Sequence, residues 1–112
     1  MLSMLTIAPI LLALNVIFGY APMDVQATIT VEPAAINRGV CIAWESENNS
    51  GSSCWEVDGL NAPKTQRYRL RALPSGNYVV RAELITTEGR KVTPLKTLKA
   101  IASIQEDQES TR

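Results

Sequence analysis

Few residues of this chain have the types and spacing that chemistry requires. Cys41 and Cys54 are close enough in sequence to close a short loop, and the chain-entropy model values such a disulfide at about 3 kcal/mol. The same residues could instead form a redox pair, half of a metal site, or two buried free thiols. Catalytic dithiols generally use Cys-x-x-Cys, and a soft-metal site needs more cysteine or histidine. The spacing therefore favours a structural disulfide.

Catalytic chemistry has little support in the composition. The chain contains no histidine, which is the commonest general base and the commonest transition-metal ligand in proteins. Ser52 and Ser53 have no histidine base, and no Ser-x-x-Lys motif accompanies them. We therefore predict no catalytic residue, no metal ligand and no cofactor, and we expect that the protein is not an enzyme.

The most regular charged feature is the series Arg67, Arg69 and Arg71. In a strand this spacing places three guanidinium groups on one sheet face, roughly 7 Å apart. Such a row could bind an acidic partner, or it could be a solvated face paired with Glu56, Glu83 or Glu88 on neighbouring strands. Because the formal net charge of the chain is zero, we predict that it does not bind nucleic acid.

Three aromatic residues, Trp44, Trp55 and Tyr78, could form a stacking platform for a ligand. Trp44 and Tyr78 fall on the core-facing positions of their predicted strands, and Cys54 constrains the neighbouring Trp55. We therefore predict that all three belong to the structural core.

The elements that position these residues are predicted to be short strands. After the first 27 residues, apolar side chains recur at every second position, with polar side chains between them. Turn residues separate these alternating runs. This pattern predicts strands over residues 28–31, 40–44, 54–57, 66–73, 78–85 and 91–101. Pro94 in the last strand indicates a sheet edge.

An almost wholly apolar segment, Leu2 to Ala21, precedes the strands. Its length and the small-x-small triplet Val25-Gln26-Ala27 indicate a signal peptide over residues 1–27, cleaved after Ala27. An uncleaved membrane anchor is the alternative, because about 20 apolar residues can cross a bilayer as a helix. The β-domain is then expected over residues 28–103, and the polar, acidic residues 104–112 are expected to form a disordered tail.

The motifs resemble those of a known class of exported domain. Val31-x-Pro33-x-x-Ile36-x-x-Gly39, followed by Trp44 and Cys54, is similar to the opening of bacterial immunoglobulin-like repeats. Leu73 to Ala82 resembles the tyrosine corner of immunoglobulin and fibronectin type III sandwiches, where the tyrosine hydroxyl bonds to nearby backbone. The resemblance implies an all-β, immunoglobulin-like β-sandwich of six to seven strands, preceded by the apolar leader helix.

Such sandwiches serve many unrelated functions. The leader and the small size lead us to predict a non-enzymatic protein-binding module of the periplasm or cell surface. One alternative is a secretion-pathway chaperone or inhibitor acting on amyloid or fimbrial clients. Another is a membrane-tethered structural subunit with its domain outside the cytoplasm, which requires that the leader stays attached.

Overall fold

The computed structural model describes residues 9–61 and 63–102, which form an all-β domain of eight strands with one short 3-10 turn at Gly59–Asn61. The strands are β1 (Ile10–Phe18), β2 (Met23–Val31), β3 (Asn37–Glu45), β4 (Ser50–Glu56), β5 (Thr65–Leu73), β6 (Gly76–Thr86), β7 (Gly89–Val92) and β8 (Lys96–Ala100). The all-β prediction is confirmed. The predicted tail, residues 104–112, lies outside the described residues.

The strands form two antiparallel sheets. The first sheet has the order β1-β2-β5. The second sheet has the order β4-β3-β6, and β7 and β8 pair with successive halves of the remaining edge of β6. Thr93 fills the gap between β7 and β8, because its backbone N–H donates to the Ala82 carbonyl and its hydroxyl oxygen accepts from the Ala82 N–H. The last predicted strand is therefore two strands, separated by a break that includes Pro94.

The core lies between the inner faces of the two sheets. Alternate residues of β2, from Met23 to Val31, are fully or almost fully buried, and so are alternate residues of β6 from Tyr78 to Leu84. This period of two is the pattern of strands with one face in a core and one face toward solvent. The alternation seen in the sequence of the later strands thus corresponds to their packing.

The structure corrects the prediction of a leader helix. Ile10–Phe18 is a strand, and the next strand begins at Met23 rather than at residue 28. Ile10 and Leu12 point into the core beside Ala27, Ile29 and other residues of the same cluster. A short apolar run is compatible with a buried strand as well as with a helix, because periodicity alone does not separate them. No helix among the described residues is long and apolar enough to span a membrane.

Tyr78 joins the core to the turn between β5 and β6. Its side chain is 1% exposed, and its hydroxyl donates a hydrogen bond to the Pro74 carbonyl at 2.8 Å. Asn49 Nδ2, from the loop between β3 and β4, donates to the same hydroxyl oxygen at 3.3 Å. The hydrogen bond to nearby backbone is the one that the resemblance implied for Tyr78.

Candidate functional site

The three arginines lie on the outer face of the first sheet. Arg67, Arg69 and Arg71 are all exposed on β5, whereas Leu70 on the same strand points into the core. Since β5 is an edge strand of this sheet, no other described strand pairs with the arginine row on one side. On its other side it faces β2, where Thr28 is opposite Arg67 and Gln26 is opposite Arg69. Both neighbours are uncharged, so β2 does not neutralise these two guanidinium groups.

The three glutamates named above as possible partners of the row lie elsewhere. Glu56 is on β4 and Glu83 is on β6, both in the second sheet, and Glu88 is in the turn that follows β6. Glu83 forms ion pairs with Arg81 at 3.9 Å and Arg90 at 2.7 Å. These two are the ion pairs found within residues 9–61 and 63–102. The arginine row is therefore a concentration of positive charge without a carboxylate partner in the described part of the chain.

Asp24 is the single carboxylate on the three strands of the first sheet. It has a local structural role, because its Oδ1 atom accepts a hydrogen bond from the Ala72 N–H at 2.9 Å. Arg71 and Ala72 form a bulge here, with Leu70 opposite Val25 and Leu73 opposite Met23. Ala72 has a φ of 55°, the left-handed conformation that bulges use to turn a strand. Arg71 is thus held at the end of the row by a bulge that Asp24 supports.

A second group of side chains occupies the space between β5 and the second sheet. The rings of Trp55 and Tyr68 are stacked, with centroids 5.9 Å apart, and Trp44 lies 6.0 Å from Tyr68. Trp55 Nε1 also donates a hydrogen bond to Gln66 Oε1. Trp44 and Trp55 are half-buried and pack against the main core cluster. The aromatic cluster of Trp44, Tyr68 and Trp55 therefore holds β5 against the opposite sheet.

Trp44 has room for its ring because of Gly51. The two residues are directly opposite each other on β3 and β4, and a Cβ atom at position 51 would overlap the indole ring. An aromatic side chain on one strand can stabilise a glycine on the neighbouring strand by covering it, because the glycine has no side chain of its own. Sequence reasoning missed both Gly51 and Tyr68, although the inward parity of Tyr68 on its strand was visible.

Cys41 and Cys54 form the predicted disulfide. They are directly opposite each other on β3 and β4, with alternation placing them on the outer face of the second sheet while Val40 and Ile42 enter the core. Glu83 is opposite Cys41 on its other side. The bond therefore joins the two strands of a hairpin outside the core, and such a bond indicates an oxidising, exported environment.

Similar solved structures share the fold over most of the chain. Superoxide reductase (neelaredoxin) from Ignicoccus hospitalis matches 88% of this chain and 85% of its own, with a TM-score of 0.66 and 16% sequence identity. The sensor domain of the anti-sigma factor RsgI4 from Pseudobacteroides cellulosolvens matches 88% of this chain and 100% of its own, with a TM-score of 0.58 and 14% identity. At such identities the likeness shows the fold alone. No protein-family model and no curated protein matches the chain.

The expectation that the protein is not an enzyme is contradicted by the first of these likenesses. It rested on the missing histidine and on the lack of a nucleophile with a base, whereas superoxide reductase is an enzyme with this fold. A fold hosts catalysis or binding according to the site built on it, so the architecture does not exclude an enzyme. Within the part of the chain that the structure describes, no group of three or more His, Cys, Asp or Glu side chains could hold a metal ion.

Proposed function

We propose that the protein is an exported protein-binding module of the periplasm or cell surface, and that its arginine row binds an acidic segment of a partner protein. The proposal rests on the residues that lie on the outer face of the first sheet. Three exposed guanidinium groups follow one another there along β5, and Thr28 and Gln26, which face Arg67 and Arg69 on β2, are uncharged.

The guanidinium groups of the row are suited to bind carboxylates. Guanidinium groups bind carboxylates in a bidentate geometry, which adds directional hydrogen bonds to the attraction between charges. A repeat of roughly 7 Å along the strand matches the spacing of alternate residues in an extended acidic segment. Because the whole chain has no net charge, attraction to an acidic partner would come from a local group of positive charges such as this row rather than from the overall charge of the protein.

Export and the finer fold class belong to the same proposal. The disulfide between Cys41 and Cys54 supports export, because such bonds persist in oxidising compartments. An immunoglobulin-like or fibronectin type III-like sandwich is supported by the two antiparallel sheets and by the hydrogen bond from Tyr78 to the Pro74 carbonyl. The role of residues 1–27 as a signal peptide remains a prediction.

Replacing Arg67, Arg69 and Arg71 together by glutamine tests the proposed site. We expect binding to immobilised poly-L-glutamate to fall by at least about tenfold, with a weaker dependence on salt, because screened attraction between exposed charges is removed. Thermal stability should change little, since exposed positions away from special features contribute about 0.5 kcal/mol or less. Surface plasmon resonance at two ionic strengths measures the binding.

A triple variant on the other sheet provides the matched control. Lys91, Lys96 and Lys99 are exposed on β7 and β8, and replacing them by glutamine changes the net charge by the same amount. This control should bind poly-L-glutamate nearly as well as the unmodified protein. If both triple variants lost binding to the same extent, the effect would be one of overall charge, and a binding site on β5 would be contradicted.

A further inference from the structure

The edge strand β1 exposes an unusual amount of apolar surface. It pairs with β2 on one side, and none of the described strands pairs with its other side. Four of its large apolar side chains are about half exposed: Leu11 at 53%, Val16 at 47%, Ile17 at 46% and Phe18 at 55%. Unpaired backbone groups beside exposed apolar side chains form a template for another strand.

The other sheet edges are protected against such pairing. The edge strand β5 carries three arginines and a bulge. The edge formed by β7 and β8 is broken at Pro94, and both of these strands carry lysines. The edge strand β4 is rich in serine and ends at Glu56. In contrast, β1 has no charged residue and no proline, and it is the single described strand without a charge. Charges, proline and bulges are the usual means by which proteins block edges. The bulge of β1 lies at Ile17, near its end, so the stretch from Ile10 to Val16 has none of these devices.

We propose that β1 pairs in antiparallel orientation with β1 of a second copy of this chain. An uncharged apolar edge attracts no charged partner, and its best complement is a strand that is equally uncharged and apolar. Among the described strands of this protein β1 alone meets that requirement. The proposal does not depend on the arginine row.

The sequence of β1 is complementary to itself in this orientation. Pairing about Leu14 places Leu12 opposite Val16 of the second copy, within the regular stretch that precedes the bulge at Ile17. The polar Asn15 then faces the small Ala13 of the second copy, both on the solvent side of the sheet. Directly opposite apolar residues stabilise a strand pair, and no like charges meet in this register.

The assembly should stop at two chains. Antiparallel pairing of identical strands is a two-fold contact, which uses the same surface on both copies and closes on itself. The joined sheet would have the order β5-β2-β1-β1-β2-β5, so that both of its outer edges carry an arginine row. The remaining edges are the charged or broken ones, which do not favour further addition.

Charge pairs at Ala13 and Asn15 test the inferred register. Both residues are exposed in the single chain, so substitutions there should leave folding unchanged. The A13K/N15K variant places lysines opposite lysines in the pair, and we expect the dissociation constant of the dimer to rise by at least about a hundredfold. The A13K/N15E variant places lysine opposite glutamate and should remain a dimer. Sedimentation velocity of the oxidised full-length chain measures the mass, and circular dichroism checks the fold.

The two variants change the same two positions. Their comparison therefore tests the strand pairing even if one of the substitutions lowers the stability of the fold. A dimer of the unmodified chain that is lost in A13K/N15K and kept in A13K/N15E would support the pairing. Three results would overturn it: a monomeric unmodified chain over the whole submillimolar range, a dimer that persists in A13K/N15K, or growth of the unmodified chain into larger assemblies.

Discussion

Removing residues 1–27 should leave a chain that no longer folds cooperatively. The truncation deletes β1 and the beginning of β2, and with them Ile10, Leu12, Met23 and Val25, all buried in the core. Loss of a large buried apolar side chain costs about 2–5 kcal/mol, and the whole stability of a domain is only about 5–15 kcal/mol. The summed loss exceeds what the remaining strands provide. Thermal unfolding followed by circular dichroism should show no sharp transition.

A shorter truncation serves as the control. Deleting residues 1–8 leaves every described strand in place, and this variant should unfold in a sharp transition like the full chain. A well-folded protein after removal of residues 1–27 would contradict the role of β1 and would agree with cleavage after Ala27. The predicted cleavage and the described fold cannot both hold in one molecule, so N-terminal sequencing of protein made in its own host decides between them.

Loss of the disulfide should lower the free energy of unfolding by about 2–4 kcal/mol, the range found for loops of this length. The bond closes a hairpin whose cysteines are 13 residues apart. Because it lies outside the core, replacing both cysteines by alanine should leave the core packing intact. Chemical denaturation of the C41A/C54A variant and of the unmodified protein gives the difference directly.

The unmodified protein after reduction is the matched comparison, since it has the same sequence. Reduced protein and the alanine variant should have nearly equal stability. Thiol titration under denaturing, non-reducing conditions should find no free thiol before reduction. Two titratable thiols in protein made in an oxidising compartment would contradict the disulfide. A change below about 1 kcal/mol in the free energy of unfolding would contradict its predicted contribution to stability.

The strands that alternate between polar and apolar residues were predictable from sequence. Arg67 to Leu70 alternates strictly, and both the exposure of the arginines and the burial of Leu70 follow from that alternation. Tyr78 was also predictable, because the residues before it form a recognisable turn. In these segments the local pattern and the packing agree, since one face is buried and the other meets solvent.

Three features depend on information that a single sequence does not contain. Ile10–Phe18 is apolar on both of its faces, so its pattern fits a helix, a membrane span or an edge strand. The surroundings of the arginine row depend on which strands are neighbours, and only the topology shows that Glu56 and Glu83 are in the other sheet. Asp24 lies within the predicted leader, and nothing in its local sequence indicates that it supports the bulge at Ala72.

We propose that acidic segments bind on the outer face of the first sheet. A titration of the isotopically labelled full-length protein with a synthetic Glu-Val alternating peptide, followed by amide chemical shifts, tests it most directly. We expect the largest shifts at Arg67, Arg69 and Arg71 and at the facing residues Gln26 and Thr28. Added salt should reduce these shifts, because it screens the charges. Shifts concentrated on β7 and β8, or shifts of equal size in the R67Q/R69Q/R71Q variant, would contradict it.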